Sequence, residues 1–404
     1  MITLFGQPAS AAKAHFDGTH RTRAPEETFA DYARHMPAMG ITRIGNVTGL
    51  DRIGFPVCVA VRPNARALST SQGKGRSLAA ARVSALMEAI ETWHGERPEG
   101  EIRIASHAEL SREGPVPPLR DFPVRADAHL SERHPIPWIR GWDLMAEAPA
   151  WLPLETVSTN FVEGGNRPAF LRSTNGLASG NHMLEAVVHA LCEVIERDAL
   201  TMSGLSGTPV PVDPHSVPDP ELRQLLDELA EKAVAVFLTD LTCDTGVPTF
   251  SCELIDDPES PAWRALPQVD GHGTHLDYRV ALSRAVTEAI QARATVISGS
   301  RDDLFPQDYR DAVSIEDQLA RVENRSAAPL ATVRSDATAS FEGDLALLLD
   351  RLRAVGVRHV LACDLRRSEI GIPVVKVVVP GLEPVRTPFY QPGPRARAVL
   401  KEAA

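Results

Sequence analysis

Three stretches carry acidic side chains at a spacing that places them on one face of a helix. These stretches are Ser84-Ala-Leu-Met-Glu88-Ala-Ile-Glu91, His189-Ala-Leu-Cys-Glu193-Val-Ile-Glu196 and Arg284-Ala-Val-Thr-Glu288-Ala-Ile-Gln291. Residues three or four positions apart are neighbours on a helix surface, so each stretch presents a short polar stripe. One such motif carries little information. Three in register predict stripes that converge on a common site.

The middle stretch belongs to a predicted helix that is apolar on nearly every other side. Its polar exceptions Glu185, His189, Glu193 and Glu196 fall within about 80° of one another around the helix axis. A surface helix with a solvated charged face is the alternative interpretation. We favour a buried helix, on which neighbouring carboxylates repel each other and need a cationic partner. That partner could be Arg or Lys, a metal ion, or a metal with its phosphate ligand.

Carboxylates without a matching set of His and Cys favour Mg²⁺ over zinc, and Mg²⁺ in proteins usually brings phosphate with it. Lys74 in Gly73-Lys74-Gly75 directly precedes the first helix, where glycine turns and helix N-termini bind anions. A glycine turn with an exposed lysine is the alternative, and the motif is not a P-loop. Arg197, Arg293 and Arg301 are further candidates for phosphate. Residues 270–275 fit no zinc spacing and predict a loop leading into a helix.

Composition limits the classes of function. The chain has 404 residues and 43% hydrophobic content, enough for one large composite domain or two closely packed ones. A net charge of −11 without a lysine-rich run argues against a general nucleic-acid partner. No apolar run approaches the ~20 residues of a membrane span. Five scattered cysteines predict reduced core thiols in a cytoplasmic protein.

The order of predicted elements indicates an α+β fold built from repeated β-hairpin plus helix units. Hairpins are predicted at 41–62, 137–157, 233–254 and 359–379, and the principal helices at 78–94, 184–200, 222–232, 276–297 and 341–355. The triplets Gly54-Phe-Pro56, Gly246-Val-Pro248 and Gly371-Ile-Pro373 each open the return strand of a hairpin. We divide the chain into an N-terminal extension (1–38), a main domain (39–385) and a proline-containing C-terminal tail (386–404).

These motifs together resemble the YcaO family. The matching segments are Gly73-Lys74-Gly75, Ser84-x-x-x-Glu88-x-x-Glu91, Asn175 to Asn181 with Glu185, Glu193-x-x-Glu196-Arg197-Asp198, and Glu288-x-x-Gln291-x-Arg293. The resemblance covers about residues 40–385 and implies a YcaO-type fold, with helices on antiparallel or mixed sheets around a non-Walker ATP site. It implies that Mg²⁺ is held by Glu88, Glu91, Glu193 and Glu196. It further implies that ATP contacts Lys74, Ser84, Glu88, Glu91, Asn175, Glu185, Glu288, Gln291 and Arg293, and that Glu193, Glu196 and Arg197 are catalytic.

The implied activity is ATP-dependent activation of a peptide backbone amide, followed by attack of a nucleophile on the amide carbon. A Cys, Ser or Thr side chain gives an azoline, and sulfide gives a thioamide. Azoline-forming members typically end in P-x-P-x-P, whereas this tail reads Tyr390-Gln-Pro-Gly-Pro-Arg-Ala-Arg. We therefore expect thioamide formation with a TfuA-like or other sulfur-delivering partner.

The alternatives are an azoline-forming cyclodehydratase and a non-catalytic ATP-binding accessory factor for methylthiolation of a ribosomal protein. The expected partner is a substrate peptide or protein, and a homodimer is a further option.

Overall fold

The computed structural model of the chain describes residues 2–162, 167–207, 209–310, 314–323 and 326–402. Its strands are β1 (Ile2–Leu4), β2 (Gln7–Ala9), β3 (Arg43–Asn46), β4 (Val57–Val61), β5 (Thr70–Lys74), β6 (Ile102–Ala105), β7 (Ile136–Asp143), β8 (Ala148–Pro153), β9 (Leu177–Ser179), β10 (Val210–Val212), β11 (Val234–Asp240), β12 (Thr249–Asp256), β13 (Val269–Thr274), β14 (Leu361–Asp364) and β15 (Val374–Val378). Its helices are α1 (Pro25–Tyr32), α2 (Leu78–Gly95), α3 (His107–Leu110), α4 (Leu154–Val157), α5 (Met183–Ser206), α6 (Pro220–Glu231), α7 (Tyr278–Ser298), α8 (Pro306–Arg310), α9 (Ile315–Glu323), α10 (Phe341–Ala354) and α11 (Pro394–Glu402).

Antiparallel sheets and long helices alternate along the chain, so the predicted α+β class is confirmed. One sheet has the order β3-β4-β5, and a second has the order β10-β11-β12-β13. The largest has the order β6-β7-β14-β15-β9, with β8 paired to β7, and β1 and β2 form a separate pair. The three longest helices each follow a strand of a different sheet: α2 follows β5, α5 follows β9, and α7 follows β13.

All four predicted hairpins are present as antiparallel pairs: β3 with β4, β7 with β8, β11 with β12, and β14 with β15. The glycines of the three Gly-x-Pro triplets have positive φ angles, +69° at Gly54, +63° at Gly246 and +74° at Gly371. Side chains other than glycine rarely adopt this conformation. The triplet therefore reverses the chain, and its proline directly precedes the return strand.

Two segments predicted as loops are strands. The glycines around Lys74 and in 270–275 are typical of loops, but β5 pairs with β4 and β13 pairs with β12. The glycines are needed because each strand lies directly against the helix that follows it. A Cβ atom on Gly73 would lie 2.0 Å from the backbone nitrogen of Ala85, and one on Gly273 would lie 2.0 Å from the carbonyl oxygen of Ala281. Close strand–helix packing thus explains the glycines.

The first unit, β5 with α2, and the third unit, β13 with α7, have equivalent residues 200 positions apart. Gly73 and Glu88 have counterparts 200 positions later in Gly273 and Glu288. In both units the glycine-bearing strand packs under its helix and the glutamate lies near the middle of that helix. This repeat places Glu88 and Glu288 at equivalent positions of α2 and α7.

Helix α5 lies in the interior, so the alternative of a solvated surface helix is wrong. The side chains of Leu184, Leu191 and Ile195 have no exposed area, and they pack in one core with α10 and β15. The N-terminal segment joins this core through Lys13, whose ammonium forms an ion pair of 2.5 Å with Asp344, both side chains being fully buried. The boundaries at 38 and 385 stay predictions.

Both ends of the chain contact the main body of the protein, the N-terminal segment through Lys13 and the tail through an ion pair between Arg395 and Asp198 on α5. The last two residues of the predicted tail, 403–404, lie outside the described residues. No helix within the described ranges combines the length and hydropathy that crossing a membrane requires.

Candidate active site

Acidic side chains from α2, α5 and α7 lie close enough to interact electrostatically, and we call the region between them the cleft. Glu88, Glu91, Glu193 and Glu288 are each half-buried. Burial is the main cause, and repulsion between these carboxylates a smaller one, of the rise in the pKa of Glu88, Glu91 and Glu193 to about 7. The repulsion acts between helices, because Glu88 is affected by Glu193 and Glu288. The three stripes thus converge, as the sequence predicted, while the ligand role of each residue stays a prediction.

Lys74 connects the first unit to the third. Its ammonium donates a hydrogen bond of 3.0 Å to a carboxylate oxygen of Glu288, and their side chains keep 19% and 26% of their exposure. Burial opposes ionisation of Glu288, but the positive charges of Lys74 and Arg197 lower the pKa of this carboxyl to about 2. Lys74 therefore lies in the cleft, at the end of β5, and is not an isolated lysine on a glycine turn.

Glu196 and Arg197 form the inner end of the α5 stripe. Glu196 is only 2% exposed, and its Oε1 lies 3.4 Å from Arg197 Nη2. Its Oε2 is buried and has no hydrogen-bond partner within the described ranges. Burial opposes the charge on Arg197, yet the acidic neighbours Glu196 and Glu288 raise the pKa of its guanidinium. A buried carboxylate oxygen without a donor is costly, and a bound cation would satisfy it.

Glu91 connects α2 to the strand before α5. Its Oε1 accepts hydrogen bonds from the backbone nitrogen of Ser179 at 2.8 Å and from the Ser179 hydroxyl at 2.7 Å. These two bonds hold the carboxylate in place while leaving Oε2 available. The predicted Asn175–Asn181 motif therefore reaches the cleft through Ser179 in β9.

The Glu185 carboxylate is bound by residues of the N-terminal segment. Its Oε2 accepts hydrogen bonds from the backbone nitrogen of Thr22 at 2.9 Å and from the Thr22 hydroxyl at 2.7 Å. Arg21 Nε lies 3.7 Å from Glu185 Oε1. Glu185 thus positions Arg21, which the sequence did not single out, and its predicted contact with ATP stays a prediction.

A second cation absent from the sequence-based set is Arg284 on α7. Its Nη1 donates a hydrogen bond of 2.9 Å to Nδ1 of His189, and its Nε is buried without a partner in the described part of the chain. Burial and the charge of Arg284 lower the pKa of His189 well below its usual value, so this imidazole is neutral. Arg284 is the first residue of the third stretch. Its position one helical turn before Glu288 could have indicated from the sequence that it lies near the carboxylates.

Lys376, in the middle of β15, is a third residue that the sequence reasoning missed. It is 2% exposed and donates a hydrogen bond of 2.6 Å to the carbonyl oxygen of Ser173. Burial lowers the pKa of this lysine to about 8, against the influence of Glu193. A lysine flanked on both sides by two valines, Val374-Val-Lys376-Val-Val378, was a detectable signal, because a buried lysine needs a charged or polar partner.

The remaining predicted residues differ in their surroundings. Ser84 and Gln291 are half-buried on the cleft-bearing helices α2 and α7. Asn175 has a buried Oδ1 without a partner in the described structure. Arg293 is only 2% exposed and forms ion pairs of 2.9 Å with Asp51 and 2.8 Å with Asp256. The structure therefore places Arg293 in a buried ion-pair cluster, and its predicted contact with ATP stays a prediction.

The donor set fits a magnesium ion together with a phosphate group. Carboxylate oxygens are the ligands that Mg²⁺ prefers. Burial disfavours the ionised form of Glu88 and Glu91 and raises their pKa, and a bound cation would favour that form. Glu88, Glu91, Glu193 and Glu196 would hold the metal. Lys74, Arg197, Arg21 and Arg284 surround the carboxylates and could bind phosphate oxygens.

A family model described as YcaO cyclodehydratase, ATP- and Mg²⁺-binding, matches residues 72–383, more than half of the chain. The chain belongs to the YcaO family. The prediction of the family is therefore confirmed, and ATP and Mg²⁺ are confirmed as the cofactors that characterise it. YcaO proteins are ATP-dependent enzymes of the cyclodehydratase type, which activate peptide amides.

Relatives match this YcaO chain over nearly its whole length. A protein of Methanothermobacter thermautotrophicus is 36% identical over 386 residues, covering 93% of this chain and 98% of the relative. A protein of Rhizobium leguminosarum bv. trifolii, described as lying in the tfuA 3′ region, is 32% identical over 413 residues, covering 99% and 98%.

Solved structures share the YcaO fold. YcaO from Methanopyrus kandleri, bound with AMPPCP and Mg²⁺, has a TM-score of 0.71 at 24% identity and covers 95% of this chain and 100% of its own. A heterocyclase in complex with substrate and cofactor has a TM-score of 0.76 at 22% identity. It covers 95% of this chain, which spans 55% of the heterocyclase. These likenesses confirm the predicted YcaO-type fold.

Proposed function

We propose that this protein uses Mg²⁺ and ATP to phosphorylate a backbone amide oxygen of a ribosomally made peptide or protein, and that the activated amide then takes sulfur to form a thioamide. A TfuA-like protein delivers the sulfur. The observation that carries the proposal is the cleft in which the carboxylates of three helices face the cations Lys74, Arg197, Arg21 and Arg284.

Each group in the cleft has a task that follows from its chemistry. Bound Mg²⁺ supplies charge neutralisation on the phosphates, which makes the γ-phosphorus accessible to a weak nucleophile. Lys74 and Arg197 bind phosphate oxygens and share the negative charge that builds up during transfer. Glu91 is held by Ser179 with one oxygen, so its other oxygen keeps a fixed direction for a ligand.

The proposed thioamide formation has two steps. The amide oxygen attacks the γ-phosphorus of ATP, the bond to the bridging oxygen breaks, and ADP leaves with the electron pair. Sulfide then adds to the amide carbon, the carbon–oxygen bond breaks, and phosphate leaves. The net exchange replaces the amide oxygen with sulfur at the expense of one ATP. Phosphorylation is needed because an amide oxygen is otherwise a very poor leaving group.

An external nucleophile suits the cleft. Of the cysteines, Cys58, Cys192, Cys252 and Cys363 are buried and none of the five is paired in a disulfide. Cys192 is the cysteine on the cleft helix α5, and burial raises the pKa of its thiol to about 12, which keeps it protonated and unreactive. Sulfur would therefore arrive with a partner protein, and the R. leguminosarum relative in the tfuA 3′ region supports a partner of the TfuA type.

Part of the C-terminal tail is attached to α5. Its proline-containing segment leads into α11 at Pro394, and Arg395 forms an ion pair of 2.6 Å with Asp198 on α5. That contact fixes this part of the tail against α5. Azoline-forming cyclodehydratase activity is the second candidate, because the family description names cyclodehydratases.

The test is mass spectrometry of a candidate peptide incubated with the protein, ATP, Mg²⁺, sulfide and the TfuA-like protein. Thioamide formation exchanges oxygen for the heavier sulfur, so the peptide gains mass. Loss of a water mapped to a Cys, Ser or Thr would overturn the thioamide assignment and support the cyclodehydratase. No change in peptide mass, with ATP turnover independent of peptide, would favour the accessory-factor alternative.

A further inference from the structure

Asp198 directly follows the cleft residues Glu196 and Arg197 on α5, yet it points away from them. Successive helical residues are rotated by about 100°, so Asp198 lies on the side of α5 opposite to Glu196. Its side chain has no exposed area. Its Oδ1 accepts a hydrogen bond of 2.8 Å from the backbone nitrogen of Glu383, and its Oδ2 is buried without a hydrogen-bond partner in the described structure.

The charge on Asp198 is balanced from the C-terminal tail. Arg395 Nη1 donates a hydrogen bond of 2.6 Å to Asp198 Oδ1, and Arg395 Nη2 donates one of 2.5 Å to Asp244 Oδ1 in the turn after β11. The guanidinium thus joins three segments: the catalytic helix, the turn after β11 and the tail. The Asp244 side chain keeps half of its exposure, so Asp198 is the partner whose charge depends on Arg395.

Hydrogen bonds to Glu383 hold the tail in the conformation that places Arg395 beside Asp198. The buried Glu383 accepts hydrogen bonds from the Tyr390 hydroxyl at 2.8 Å, from the backbone nitrogen of Gly393 at 3.0 Å and from that of Ala396 at 3.3 Å. A Cβ atom on Gly393 would lie 2.5 Å from Glu383 Oε1, so a larger residue here would displace the Glu383 carboxylate. One carboxylate therefore fixes the tail on both sides of Pro394 and sets where α11 begins.

We propose that Arg395 is a positioning residue for the nucleotide site: it fixes Asp198 and thereby sets the rotation and depth of the α5 turn that carries Glu196 and Arg197. This inference rests on the proposed function of the cleft. The physical reason is that a buried carboxylate without its cation is strongly unfavourable. Without Arg395, α5 would turn or shift to bring Asp198 toward water, and Glu196 and Arg197 would move with it.

The decisive comparison uses the full chain with Arg395→Met, which removes the charge and keeps most of the length. The expected result is that affinity for a non-hydrolysable ATP analogue with Mg²⁺ falls about tenfold, within the range usual for coupling between separated groups. Arg395→Lys restores part of the affinity, because it returns the charge. The matched control is Arg397→Met on the same helix, whose Nη1 contacts the carbonyl oxygen of Pro392 at 2.7 Å. It leaves affinity unchanged.

A second variant separates positioning from general stability. In the double variant Asp198→Asn with Arg395→Met, the buried group is neutral, so nucleotide affinity recovers most of the loss seen in Arg395→Met alone. A merely structural tail contact would lower the melting temperature and leave the affinities of both variants at the parent value. That outcome would overturn the inference, as would equal losses in the single and double variants. Asp198→Asn alone supplies the comparison if Arg395→Met does not fold.

Binding of the nucleotide by the parent protein is measured first. A parent chain that does not bind Mg²⁺ with the nucleotide analogue would defeat the proposed function of the cleft. A parent that binds, together with an Arg395→Met variant that binds equally well, would defeat only the role of Arg395.

Discussion

Lys74 at the end of β5 lies 3.0 Å from Glu288 on α7, and this ion pair connects the first and third repeat units across the cleft. In the proposed function, the pair holds Lys74 in place for a phosphate before the nucleotide arrives. We expect Lys74→Met to weaken binding of the Mg²⁺–nucleotide complex by about 10–100-fold, since a hydrogen bond to a charged group contributes about 1.5–3 kcal/mol. Titration calorimetry measures the loss. Lys401→Met, an exposed lysine on α11, is the control, and an affinity within twofold of the parent for Lys74→Met would contradict the assignment.

The carboxylates of α5 should be needed for turnover and not for folding. Glu193→Gln and Glu196→Gln keep side-chain shape and remove the negative charge that a Mg²⁺ ligand requires. We expect either change to reduce ATP hydrolysis to background while the circular dichroism spectrum stays that of the parent. Glu231→Gln at the exposed end of α6 is the matched control. Hydrolysis at the parent rate in either cleft variant would remove that residue from the ligand set.

Much of this arrangement was readable in the sequence, because the information is local. The helical spacing of Glu88 and Glu91 can be recognised from adjacent residues alone. The same holds for the Gly-x-Pro triplets, such as Gly54-Phe-Pro56. Strands β5 and β13 were missed because their composition is that of loops, and only pairing with β4 and β12 makes them strands.

The cations of the cleft were harder to predict, because their partners lie far along the chain. Arg21 is positioned by Glu185, which follows it by more than 160 residues. Lys376 reaches the loop before β9 only because β15 pairs with β9. Arg293 matches the family motif Glu288-x-x-Gln291-x-Arg293, but its partners Asp51 and Asp256 come from two other segments. Side-chain partners of this kind follow from topology, which local patterns do not contain.

The cleft without its cofactors should be destabilised by its own acids. The pKa of Glu88 and of Glu91 is raised to about 7 in the folded protein from 4.5. Folding therefore loses stability as the pH rises from 4.5 through about 7, and the full cost is present above that range. We expect Glu88→Gln to raise the free energy of unfolding by about 1–2 kcal/mol near pH 8.

Urea denaturation without Mg²⁺ or nucleotide measures this effect at about pH 8 and about pH 5. The gain in Glu88→Gln should largely disappear at the lower pH, where the parent carboxyl is already protonated. Excess Mg²⁺ and nucleotide should make the parent the more stable protein. A variant with the same gain at both pH values would show that burial and repulsion of the ionised acid are not the cause.

Binding of Mg²⁺ should release protons. Glu88, Glu91 and Glu193 have pKa values near 7, and only the ionised carboxylates bind the metal. We therefore expect affinity for Mg²⁺ in the presence of the nucleotide analogue to rise about tenfold or more between about pH 6 and pH 8. Calorimetry in two buffers of different ionisation enthalpy counts the protons released. A pH-independent affinity with no proton release would mean that these three groups are not the ligands.

In the proposed reaction, the amide oxygen of the peptide itself takes the γ-phosphoryl group of ATP. The most direct measurement uses a peptide substrate labelled with ¹⁸O at the backbone carbonyl to be modified, in unlabelled water, followed by mass spectrometry of the released phosphate. We expect one ¹⁸O atom in the phosphate for each amide modified, whether the product is a thioamide or an azoline. Modified peptide accompanied only by unlabelled phosphate would mean that the oxygen came from water and that ATP did not activate the amide through its oxygen.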